Sequence, residues 1–69
     1  MIIITSEITI DESKWQAALD LAKSHVEQSR LEPGCVSHRY LISPEKENCM
    51  FFYEEWVDRA AIGFHSKLS

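Results

Sequence analysis

The segment Cys49–His65, CMFFYEEWVDRAAIGFH, decides how the remainder of the chain has to be arranged. Strand alternation sends Met50, Phe52, Glu54 and Trp56 to one face and Cys49, Phe51, Tyr53 and Glu55 to the other. Both sets are largely apolar, so this strand is expected to be covered on both sides. Asp58 then offers a side-chain oxygen for an N-cap, and Ala61, Ile62 and His65 recur at helical spacing on the side turned back toward the sheet. The segment predicts a strand feeding a helix, and it brings a carboxylate, an indole and an imidazole together.

Immediately upstream, Cys35–Ile42 alternates Val36, His38, Tyr40 and Ile42 against Cys35, Ser37, Arg39 and Leu41, a second strand with a mixed face. The polar stretch from Ser43-Pro44 to Asn48 reads as the loop of a hairpin joining these two strands. Further out, Ile2–Ile10 is β-branched and alternates after its initial isoleucines, which predicts a first strand. Between the first and second strands, Trp15, Ala18, Leu19, Ala22 and Val26 form a helical stripe that packs on the sheet, with His25 at its edge. Asp11 can cap that helix, and Ser13 with Gln16 offers a competing capping box. Glu32-Pro33-Gly34 stops it, because proline cannot continue the hydrogen-bond ladder and glycine accepts an unusual backbone angle.

The order is therefore β-α-β-β-α, an α+β arrangement matching five of the six elements of a ferredoxin-like βαββαβ unit, with helices on one face of an antiparallel sheet. Too few residues follow His65 for the return strand, so the last strand is expected to be missing or supplied by a neighbouring subunit. Residues 1–69 allow a single domain, and at this size one core is only marginally sufficient, which points to a homo-oligomer. Cys35 and Cys49 form no CxxC pattern and are expected to be buried, unbridged thiols, with no metal site. The N-terminus has neither a basic region nor an export-length apolar run, and no stretch approaches a membrane span, so a cytoplasmic protein is expected. A net charge of −4, with seven basic residues spread thinly, argues against nucleic acid as a partner.

Three local patterns occur in order: Ser29-Arg30-x-Glu32-Pro33-Gly34-Cys35, Ser37-x-Arg39, and Glu54-x-Trp56 followed by Ala61-Ile62-x-x-His65. Together they resemble the antibiotic biosynthesis monooxygenase domain family, small dimeric α+β barrel proteins that include quinol and anthrone oxygenases. The chain departs from the family pattern at His38, where a tyrosine is usual. The resemblance implies a homodimer and a pocket between sheet and helices for a small aromatic substrate. Dioxygen would be the co-substrate, and no cofactor or metal would be needed. His65 and Glu54 are the catalytic candidates; Trp56, Phe52, His38 and Tyr40 are the substrate-binding candidates.

The chemistry is coherent. A phenol or quinol can lose a proton to a histidine, whose ordinary pKa of about 6.5 suits general-base work near neutrality, and the resulting electron-rich anion can itself reduce dioxygen. Trp56 would wall an aromatic substrate, and Glu54 would orient or charge-stabilise the imidazole. Each residue also has a plain structural reading. His65 can serve the helix dipole at the last turn, Trp56 can be a core anchor, Glu54 can pair with Arg39, and His38 and Tyr40 can line a subunit interface. Alternatives without turnover are a haem or other small planar-ligand binding protein, and a non-catalytic dimer module. Against haem, the asparagine that haem-handling relatives carry near the end of the first strand has no match in Ile4-Thr5-Ser6-Glu7.

Overall fold

The strand Cys49–Trp56 (β3) is central in the computed structural model, flanked by Ile2–Thr9 (β1) and Cys35–Ile42 (β2) in an antiparallel sheet of order β1-β3-β2. The structure describes residues 1–68, with side chains through His65. Helix Trp15–Ser29 (α1) joins β1 to β2, and helix Arg59–Leu68 (α2) follows β3. This is the expected βαββα order, with three strands among the described residues.

Register explains which residues meet. Ile4, Ser6 and Ile8 pair with Glu54, Phe52 and Met50 on one side of β3, and His38, Tyr40 and Ile42 pair with the same three on the other. All therefore point to the helix-covered face, where Met50, Trp56 and His38 are fully buried against Val26, Ala22 and Ser29 of α1. Strict alternation along β2 fails at its start. The register shifts between Cys35 and Ser37, so Val36 is the extra residue of a bulge and is exposed, and Cys35 instead joins the Trp56 row.

The start of α1 also departs from expectation. Neither Asp11 nor Ser13 caps it with a side chain; a 3-10 turn over Glu12–Lys14 intervenes, closed by Lys14 N–H to Asp11 O at 2.9 Å. Backbone carbonyls thus satisfy the donor that a cap would have taken. At the other end the helix stops at Ser29, and a run of turns leads to Gly34 at φ +85°. A Cβ there would overlap the Ala61 Cβ and come within 3.0 Å of Val57 Cγ2. Glycine is needed both for the backbone angle and for the close approach of α2.

The hairpin loop is organised by Ser43, whose Oγ accepts hydrogen bonds from Lys46 N–H at 3.2 Å and Glu45 N–H at 3.3 Å. Cys49 lies opposite Thr9 while Cys35 lies opposite Trp56, so the two thiols sit at opposite ends of β3, and both are free. The second face of β3 is where the single chain differs most from expectation. Phe51, Tyr53 and Glu55 are only half-buried there, beside exposed Ile3 and Leu41, because both helices lie on the other side of the sheet. Within one chain, nothing among the described residues covers this face.

Candidate functional site

The site is built where α2 returns across the end of β3. Asp58 caps α2 as its chemistry suggested, its Oδ1 accepting from Ala61 N–H at 2.9 Å. The cap sets the helix phase, so that His65, one turn beyond buried Ala61, falls on the same inward face. Its imidazole leans on the Trp56 indole, with ring centroids 4.8 Å apart and planes inclined at 40°. Its Nδ1 lies 2.7 Å from Glu32 Oε2 and 3.0 Å from Oε1, with Ser29 Oγ at the edge of hydrogen-bond range, 3.4 Å away. Both partners are nearly buried, at 12% and 11% exposure, which makes this a hydrogen bond to a carboxylate shielded from water.

That contact determines the tautomer. A carboxylate can only accept, so His65 Nδ1 carries the proton and donates it. Nε2 is left with a free lone pair and has no hydrogen-bond partner among the described residues. A carboxylate-held imidazole with one open nitrogen is the arrangement of a general base.

Glu54 makes different contacts from those expected of it. Its Oε1 accepts the Trp56 Nε1–H at 2.9 Å, and its Oε2 lies 4.0 Å from His38 Nε2. The carboxylate that meets His65 is Glu32, and Arg39 does not pair with Glu54 either. Arg39 faces the opposite side of the sheet, where its guanidinium sits 5.3 Å over the Tyr53 ring, because it is in register with Tyr53 and not with Glu54. Trp56 is accordingly a core residue with its one polar atom satisfied, and it also forms a wall of the site.

Three imidazoles from three elements meet beside this wall. His25 of α1 lies 5.5 Å from His38 of β2 and 5.2 Å from His65 of α2, and His38 lies 6.0 Å from His65, centroid to centroid. Phe52 approaches His38 edge-on at 6.4 Å, and half-buried Tyr40 is its register partner. Burial holds His38 below the usual imidazole range, helped by His25, His65 and Arg30, with Glu54 pulling the other way. His38 is therefore neutral near pH 7. The Cys35 thiol is pushed up by burial and by Glu32 and Glu54, which makes it a poor nucleophile.

An open groove of about 420 Å³ runs between α1 and the β1–β3 pair, lined by Ile8, Ala18, Leu21, Met50, Phe52 and His25. It is almost wholly apolar and reaches the histidine cluster through His25, as suits a planar organic molecule. A larger hollow of about 560 Å³ beneath the Ser43–Asn48 loop is polar and brings no imidazole, so it is not preferred. Among the described residues no three His, Cys, Asp or Glu side chains are grouped to hold a metal ion, and no helix is long and apolar enough to cross a membrane. Two residues of the site, Glu32 and His25, were not anticipated. Glu32 reads locally as a helix stop and His25 as a stripe boundary, and neither carries a local signal of its long-range partner.

The antibiotic biosynthesis monooxygenase family model matches residues 1–69. The protein named "Putative monooxygenase YcnE" from Bacillus subtilis is 31% identical over 67 residues, covering 97% of this chain and 70% of its own. The uncharacterized protein sll1783 of Synechocystis is 31% identical over 64 residues, and there the match covers 93% of this chain but only 44% of the relative. A crystal structure of an antibiotic biosynthesis monooxygenase superposes with a TM-score of 0.87 at 29% identity, over 94% of this chain and 68% of that one.

Proposed function

The chain belongs to the antibiotic biosynthesis monooxygenase family, and from that premise we propose that it oxygenates a small electron-rich aromatic, a quinol or phenol, with dioxygen as co-substrate. The observation that carries this reading is the His65 imidazole, fixed through Nδ1 on Glu32 and laid against Trp56, with Nε2 open. That nitrogen removes the hydroxyl proton. The anion then transfers an electron to dioxygen, a new carbon–oxygen bond forms, and for a quinol the balanced outcome is a hydroxyquinone and one water. Because the deprotonated substrate is itself the reductant, the scheme calls for no added cofactor. Oxygen uptake with a panel of quinols, corrected for autoxidation and repeated after exhaustive chelation, is expected to exceed the protein-free control for at least one of them. Uptake no faster than control across the panel rejects this function in favour of ligand binding without turnover.

The same reading includes a homodimer. The uncovered sheet face presents Ile3, Leu41, Phe51 and Tyr53, an apolar surface that a second copy can bury, in keeping with the dimeric members of the family. Free thiols at Cys35 and Cys49 fit a cytoplasmic setting. Sedimentation equilibrium at micromolar concentration is expected to give twice the chain mass, and a folded, soluble monomer contradicts the assembly.

A further inference from the structure

Three imidazoles close the seam where α1, β2 and α2 meet, and one of them is sealed from water. His38 of β2 is 1% exposed, and its Nδ1 is buried without a hydrogen-bond partner among the described residues. His25 of α1 stands edge-on to it at 5.5 Å and His65 of α2 at 6.0 Å, centroid to centroid. The charged groups around this ring do not balance a proton. Glu54 of β3 faces it at 4.0 Å, too far for a hydrogen bond, and its Oε1 is committed to the indole N–H. Against that carboxylate stand His25, His65 and Arg30, just beyond the end of α1, whose Nε donates to the His38 carbonyl at 2.9 Å. Glu32, the other carboxylate of the seam, is bonded to His65. An imidazolium at His38 would be a buried charge among like charges, which is costly.

We propose that this three-histidine seam is an acid-sensitive latch, which holds α2 against the sheet while His38 is neutral and releases α2 when His38 takes up a proton. α2 is the element to move because its hold is the smaller one. It is anchored by buried Ala61 and by His65 against Trp56, whereas α1 buries Ala22, Val26 and Ser29 and is joined to a strand at both ends. A ring so deeply buried receives a proton only when a wall around it opens, and on the α2 side that wall is His65. In the closed chain His38 is held below the usual imidazole range, chiefly by burial. An exposed imidazole titrates at about 6.5, so above that pH both states are neutral and the latch is fully closed. Below it the open state binds a proton that the closed state refuses, and the latch is lost progressively toward the lower value of the buried ring. His65 has Glu32 beside it to meet a charge of its own, so His38 is the group that decides. The latch governs assembly of the site and does not depend on the oxygenase reading.

The latch is read without substrate, by NMR hydrogen exchange of individual backbone amides at about pH 7.5 and about pH 5.5, corrected for the intrinsic exchange rate. The opening constant of α2 is expected to rise about tenfold at the lower pH, the effect of one proton taken up about one unit below 6.5. The amides pairing β1 with β3 are expected to keep their protection, and the His38 ring-nitrogen signals to titrate in step with α2. His38→Phe keeps a ring in the seam that takes no proton, and is expected to confine the rise to about twofold or less. His38→Gln makes the same comparison should that variant fail to fold, and with neither folded the wild-type ring titration decides. Unchanged α2 protection, a His38 ring that titrates while α2 stays protected, or a pH response that survives substitution of His38 each overturns the inference. So does a simultaneous loss of protection throughout the sheet, which would be acid unfolding of the whole chain. Loss confined to α2 and tied to His38 upholds it, whether or not any quinol is oxygenated.

Discussion

His65→Ala is expected to lower the rate of quinol-dependent oxygen uptake by on the order of a hundredfold, the lower end of what loss of a general base removes. The expectation follows from the unpartnered Nε2 of the imidazole, whose Nδ1 is held by the Glu32 carboxylate at 2.7 Å. Glu32→Gln is the companion experiment. An amide can turn its N–H₂ toward Nδ1, forcing the proton onto Nε2 and blocking the base. It is expected to lower the rate at least about tenfold, by the tautomer argument that applies to the buried aspartate of hydrolase triads. A structural role for Glu32 would not change the tautomer of His65, so ring-nitrogen NMR of the variant separates positioning from folding. Unchanged rates in His65→Ala, with wild-type circular dichroism, remove His65 from the mechanism.

Trp56→Ala is expected to leave the chain largely unfolded. The indole is completely buried between the sheet and α2, and truncation of a buried large aromatic costs about 3–5 kcal/mol. Small domains hold only about 5 kcal/mol in total at the low end, so little would remain. Part of the cost is polar. Glu54 Oε1 loses the N–H that satisfies it inside a low-dielectric region. Trp56→Phe is the milder change: it keeps a ring against His65 but removes the donor and part of the indole's volume, and a loss of at least about 1–3 kcal/mol is expected. Urea unfolding followed by circular dichroism measures both. A wild-type midpoint for Trp56→Ala would show that the indole is not the anchor of the core.

The contrast between these two residues marks how far the amino-acid sequence reaches. The order of elements, the hairpin from Cys35 to Trp56, the Asp58 cap and the inward face of α2 all follow from periodicity and capping, which act over a few residues and are therefore readable in a short window. Trp56 belongs to this legible part, because its place on the Met50–Phe52–Glu54 row is set by alternation and by the strand's own length. Family membership was legible too, from three short patterns in order. At the start of β2, one bulged residue was enough to move Val36 out and bring Cys35 in, a change that depends on pairing with β3 and leaves no local mark.

What tertiary structure decided is which polar groups meet. Glu32 and His65 are 33 residues apart, and their bond depends on how the turn at Gly34 lets α2 approach the sheet. Alternation sets Glu54 on the Trp56 face, where it is expected to orient or charge-stabilise the imidazole. In the fold that proximity is used up by the indole N–H, and the remaining oxygen faces His38. His25, His38 and His65 come from a helix stripe, a strand and a second helix, so no spacing along the chain could have joined them. Local hydrophobic order determined the scaffold of this protein. The pairing of its buried carboxylates and imidazoles depended on distances that exist only once the two helices are packed on the sheet, since hydrogen bonds act over about 3 Å and not over positions in a sequence.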